Sequence, residues 1–112
     1  MTLRINIAED FSPAPIGRYR TDSDTSAEAF REDILYPKIC IAIEKREFLE
    51  IDLTGIFGLA SSFLEEAFGG LVREKGLNSD DILRTIKFLS QERHFDLYID
   101  IAQQYIKKAG DA

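Results

Sequence analysis

Leu3-Arg4-Ile5-Asn6-Ile7 alternates apolar and polar residues, the pattern of a half-buried strand. Pro13 and Pro15 then break regular structure, because each removes a backbone donor and restricts the residue before it. Ile16-Gly17-Arg18-Tyr19-Arg20 reads as a short second strand, paired with the first as a hairpin. Thr21 to Thr25 is polar and turn-like. Ser26 is a good N-cap, followed by Ala27, Phe30 and Ile34 at helical spacing. Pro37 predicts a kink or short break near Tyr36. Ile39, Ala42 and Ile43 continue a helical face; Ile39 to Ile43 also suits a buried strand, and the helix is preferred.

Phe48 to Leu53 is the clearest strand, closed by Thr54-Gly55. The loop Ile56 to Ala60 leads to a helix starting at Ser61. There Phe63, Leu64, Ala67, Phe68, Leu71 and Val72 share one face, with Glu65, Glu66, Arg73 and Glu74 on the other. Gly76 is placed to stop that helix, Asn78 to Asp81 reads as a turn, and Thr85 to Leu89 as a third long strand. A last helix runs from about Gln91 to Lys108, with Phe95, Tyr98, Ile99, Ala102, Tyr105 and Ile106 as its apolar stripe. The expected fold class is α/β: one domain over residues 1–112, its core about 3–108. Its mixed four-stranded sheet would have an N-terminal hairpin, then parallel strands joined by right-handed crossovers, covered by three main helices.

Composition narrows the chemistry. The chain has 112 residues, and 14 basic against 20 acidic side chains leave a formal charge of −6, which argues against binding nucleic-acid phosphates as a main task. One cysteine forms no internal disulfide and no zinc site, which suits a reducing, cytoplasmic setting. Met1-Thr2-Leu3-Arg4 leads into no apolar stretch of signal-peptide length, and the longest apolar run is Ile39 to Ile43. Export and membrane spanning are therefore not expected. His94 stands alone and Cys40 sits among isoleucines, so the expectation is a solvated histidine, a small core thiol, and neither metal nor cofactor. Glu65 and Glu66 are adjacent on a helix and diverge by about 100°, which predicts a solvated face rather than a catalytic pair. Gly69-Gly70 costs roughly 1 kcal/mol per glycine within a helix. Close packing explains that cost best, and a smooth surface for a partner is the functional option. Gly55-Ile56-Phe57-Gly58 lacks the order of a phosphate-binding loop. No catalytic residue is assigned, and a non-enzymatic role is expected.

Chemistry then concentrates on the segment from Ile51 to Leu64, where a strand delivers Ser61 and Ser62 to the start of an amphipathic helix. Either serine suits a helix cap. Either is also a candidate switch, since a phosphate there adds about −1.5 to −2 charges at the positive end of the helix dipole. Ile51-Asp52-Leu53-Thr54 and Ser61 resemble the STAS domains of anti-sigma factor antagonists, in which the first serine of Asp-Ser-Ser-Gly is phosphorylated by a partner kinase. Here Ala60 replaces the aspartate and Phe63 the glycine.

A closer resemblance is to the STAS-like family of unknown function. It is carried by Gly17-Arg18, Ser26 to Arg31, Ile34 to Pro37 and the long run Ser61 to Arg73, with Ala27 where that family more often has glycine. The family sometimes accompanies histidine-kinase-like ATPase domains in bacteria. The resemblance therefore implies a bacterial signalling domain that binds such an ATPase, or an anti-sigma-type partner, around the start of the Ser61 helix. Ser61 would be the phosphorylation candidate and Ser62 the reserve. Arg18, Arg31, Glu65, Glu66, Gly69 and Gly70 would contribute to the partner surface. A small-ligand or nucleotide-binding module is the alternative, and homodimerisation is left open.

Overall fold

The computed structural model describes residues 2–112. Three strands, β1 (Leu3–Asn6), β2 (Leu49–Asp52) and β3 (Ile86–Leu89), form a wholly parallel sheet in the order β1-β2-β3. Registers run Leu3↔Leu49↔Ile86 through Asn6↔Asp52↔Leu89. Because side chains alternate along a strand, Ile5, Leu49, Ile51 and Ile86 meet the helices on one face and are buried. The other face is polar: the row Arg4↔Glu50↔Lys87 crosses it, and Arg4 bonds Asp52 at 2.7 Å.

The expected N-terminal hairpin does not form, and the sheet has three strands among the described residues. Ile16 to Arg20 is irregular, with Gly17 at φ +92°. Its backbone serves the next helix instead. The carbonyls of Gly17 and Arg18 accept from Ala27 and Glu28 at 3.0 and 2.9 Å, two first-turn donors that no helical carbonyl can reach. Ser26 Oγ takes the Ala29 N–H at 3.2 Å, as its N-cap role requires. Asp22 Oδ2 closes the preceding turn on the N–H groups of Arg18 and Tyr19.

The helix that follows is continuous: α2 (Ala27–Phe30), a π-helical turn (Arg31–Leu35) and α3 (Tyr36–Lys45). Pro37 leaves it unbroken. The disturbance sits one turn earlier, where Tyr36 N–H reaches back five residues to the Arg31 carbonyl. The Ser61 helix is likewise α4 (Ser61–Leu64), a second π turn (Glu65–Gly69) and α5 (Gly70–Arg73), with Gly76 just beyond it at φ +71°.

Two short helices lie where strand or turn was expected. Asn6 ends β1 and caps α1 (Ile7–Asp10) by accepting from Glu9 N–H at 2.8 Å. Asn78 caps α6 (Ser79–Thr85) in the same way, from Asp81 N–H at 3.1 Å. A 3₁₀ turn at Arg93–Phe95 precedes α7 (Asp96–Asp111), which packs against the second π turn, α4, α5 and α6. Phenylalanines knit the layers together: the Phe30 ring lies 5.8 Å from Phe63 and 6.4 Å from Phe68, and Phe68 lies 5.4 Å from Phe88 on β3. Among the described residues no helix is long and apolar enough to cross a membrane.

Candidate functional site

The two π turns face each other, and a charge cluster occupies their junction. Arg31, in the first, has 5 % of its side chain exposed; Glu66, in the second, 4 %. Arg31 Nη1 donates to Glu66 Oε2 at 2.6 Å and to the Glu66 carbonyl at 2.7 Å. Its Nε donates to Glu32 at 2.8 Å, and Glu32 accepts also from Lys75 at 2.9 Å. Arg18 Nη1 reaches from the loop to both Glu65, at 2.6 Å, and Glu66, at 3.1 Å. Arg73 closes the group from α5, bonding Glu65 through Nη1 and approaching Glu66 at 3.4 Å.

The expected solvated face is thereby corrected. Glu66 is buried and Glu65 half-buried. Their directions diverge on the helix as neighbours must, yet both side chains are long enough to meet the same two guanidinium groups. Burial alone would raise the Glu65 pKa, but hydrogen bonds from Arg73 and Arg18 hold it below the ordinary value. Glu32 is held low above all by the Lys75 hydrogen bond, which burial opposes and the Arg31 hydrogen bond reinforces. Carboxylates paired in this way are anionic clamps rather than proton carriers. The clamp ties the loop at Arg18, and with it the start of α2, to the Ser61 helix.

Gly69 and Gly70 belong to the same junction, and both are buried. A Cβ on Gly70 would overlap Arg31 Nη1 and lie 3.2 Å from its Cδ and Cζ. One on Gly69 would lie 2.9 Å from Glu65 Oε2. Close packing is therefore what the glycines provide: Gly70 makes room for the buried Arg31 guanidinium and Gly69 for the Glu65 carboxylate. Arg18, Arg31, Glu65, Glu66, Gly69 and Gly70 thus come together, though largely with one another. Arg73, Glu32 and Lys75 complete the cluster unforeseen. The Glu65/Arg73 spacing on one helix hinted at the first, whereas the tertiary fold alone brings in the other two.

Ser61 and Ser62 lie elsewhere on that helix and are both exposed. Neither is its cap: Ala60 holds that position in an extended conformation, and no side chain closes the turn. Instead the Ser61 hydroxyl pairs with the Tyr105 hydroxyl of α7 at 2.5 Å. Tyr105 also lines a cavity of about 620 Å³ with Glu65, Arg73 and Lys108. Just before Ser61, Phe57 stands 84 % exposed in the loop after β2.

A second cavity, about 580 Å³, opens at the C-terminal ends of β1 and β2, lined by Arg4, Asn6, Asp10, Lys38, Asp52 and Thr54 among others. Cys40 is partly buried, and His94 is exposed beside Glu92. No group of three or more metal-ligating side chains occurs among the described residues.

No curated protein and no solved structure matches the chain. A family model does: it spans residues 26–93, from the cap of α2 through both π turns to β3 and the 3₁₀ turn, and leaves Gly17-Arg18 and β1 outside its range. With more than half of its length matched, the chain belongs to the family described as the STAS-like domain of unknown function (DUF4325).

Proposed function

We propose that the chain is a non-enzymatic regulatory domain that binds a protein partner, a histidine-kinase-like ATPase or another anti-sigma-type protein, at the surface where β2 leads into the Ser61 helix. Ser61 is the phosphorylation candidate within it. The observation that supports this most is the Ser61 hydroxyl itself. It is exposed, it follows an exposed Phe57, and it is bonded to Tyr105 on a different helix. A phosphate there would displace the Tyr105 contact and add negative charge one helical turn before Glu65. Chemistry at one hydroxyl would thus alter how α7 sits on the domain.

The test is incubation of the 112-residue chain with a histidine-kinase-like ATPase from its genomic neighbourhood and labelled ATP. The expected result is a complex, with label on the wild-type chain and none on Ser61→Ala. Label persisting in Ser61→Ala moves the site to Ser62 or beyond. The absence of both label and complex would remove the reading.

The polar cavity at the ends of β1 and β2 favours a second reading, a small-ligand or nucleotide site, because open α/β sheets bind ligands at the carboxyl ends of their strands. Ligand bound to the native state raises stability. A thermal shift with nucleotides, absent from Asp52→Asn, would support it. No shift with any nucleotide would remove nucleotides as the ligand.

A further inference from the structure

The two edges of the sheet are finished differently. At the β1 edge Leu3 donates inward to Phe48, so alternation turns the polar groups of Arg4 and Asn6 outward. Two of these are answered within the chain. The Arg4 carbonyl accepts from Lys38 Nζ at 2.8 Å, and the Asn6 N–H donates to Asp10 at 2.9 Å.

At the β3 edge the Leu89 carbonyl accepts from Leu53 on the β2 side at 3.0 Å. The same alternation turns the N–H and C=O of Phe88, and the C=O of Ile86, away from the sheet. The Ile86 N–H is returned to α6, on the Ile82 carbonyl. No hydrogen bond reaches the other three groups among the described residues. An unpaired strand edge is a template for one more strand.

Side chains specify what that strand should carry. On the polar face the row Arg4↔Glu50↔Lys87 alternates plus, minus, plus, so the next place in the row calls for an anion. On the helix side the half-buried Phe88 offers apolar surface, next to Ile86, which is itself buried.

We infer that the β3 edge is a docking site for an extended segment of another protein in which apolar and acidic residues alternate, the acidic ones beside Lys87 and the apolar ones beside Phe88. Main-chain hydrogen bonds to Phe88 supply affinity, and the alternation sets register. A second copy of the chain does not fit. An antiparallel β3 pair sets Lys87 opposite Lys87 or Leu89, and a β3-to-β1 pair sets Lys87 in the row of Arg4, against an edge already answered by Lys38 and Asp10. The site lies apart from the Ser61 surface and does not depend on it.

The experiment titrates a fluorescent Val-Glu-Val-Glu-Val peptide, and its lysine counterpart, into the whole chain, with amide exchange followed at Phe88. The acidic peptide is expected to bind about fivefold more tightly than the basic one, to invert that order in Lys87→Glu, and to slow exchange of the Phe88 amide. Equal affinities, absence of binding, or binding that leaves Phe88 exchange unchanged would overturn the inference. So would a concentration-dependent dimer of the free chain with Phe88 protected, which would give the edge to a second copy.

Discussion

At the scale of single residues, the Arg31–Glu66 pair decides most. Both groups are buried, and Arg31→Ala takes from Glu66 its shortest charge-assisted bond and leaves it the longer ones from Arg18 and Arg73, a loss bounded by the about 3–5 kcal/mol of a fully broken buried pair. Arg31→Ala should therefore lower the urea midpoint clearly, whereas Arg20→Ala, at an exposed and solvent-screened pair, should leave it close to that of the wild type. Gly70→Ala sets two effects against each other. Helix propensity favours alanine by about 1 kcal/mol, but its Cβ meets a guanidinium held in place by two bonds to Glu66. Overpacking of that kind costs about 1–3 kcal/mol. The net expectation is loss of stability in the same denaturation experiment, with the sign reversed in an Arg31→Ala background. The glycines were legible in the sequence as a packing feature. What they pack around was not, since Arg31 stands more than thirty positions away in the chain.

At the scale of elements, the strongest periodic signals stand. The Ser26 cap, the Ser61 helix, the strand at Leu49 to Asp52 and the last helix all lie near their expected places. Short elements diverge, because local pattern carries too few residues to outweigh tertiary demands. Ile16 to Arg20 has the look of a strand, yet its carbonyls are used by the first turn of α2. Asn78-Ser79-Asp80-Asp81 reads as a turn, although an asparagine cap followed by acidic residues is also a helix start, and that is what forms. The π turns left no periodic trace, since a single widened turn shifts the pattern by one residue only. One prediction belongs here. Ser61→Ala and Tyr105→Phe each remove one of the two hydroxyls that join α4 to α7, a bond worth about 0.5–1.5 kcal/mol. Amide exchange in the C-terminal half of α7 should quicken in both variants, while exchange in β2 stays as in the wild type. Equal effects throughout the chain would show that the bond is not a local tether.

For the whole molecule, the carboxylates shape the response to acid. Glu65 and Glu32 are held below the ordinary value of 4.5 in the folded chain. A group depressed on folding contributes stability that is fully present above its unfolded pKa and is lost as pH falls through the folded one. The urea midpoint should thus stay level from pH 7 to about 5.5 and fall below about 4.5. Glu65→Gln should make that fall shallower, and an unchanged profile would mean that Glu65 gains nothing from its arginines. The formal charge of −6 takes on a different meaning as well: Glu65 and Glu66 are spent on internal pairing, so they do not form an acidic surface beside Ser61. By itself the sequence determined the α/β class, the order of the main elements and the family markers, because periodicity, caps and turn residues act over a few neighbours. The tertiary structure alone decided that the sheet has three parallel strands among the described residues, with one open edge, that Arg18 and Arg31 from distant segments join Arg73 on two adjacent glutamates, and that Ser61 answers to Tyr105. Each of these depends on which distant surfaces meet when apolar faces are buried, and pairing across space leaves no local pattern to read.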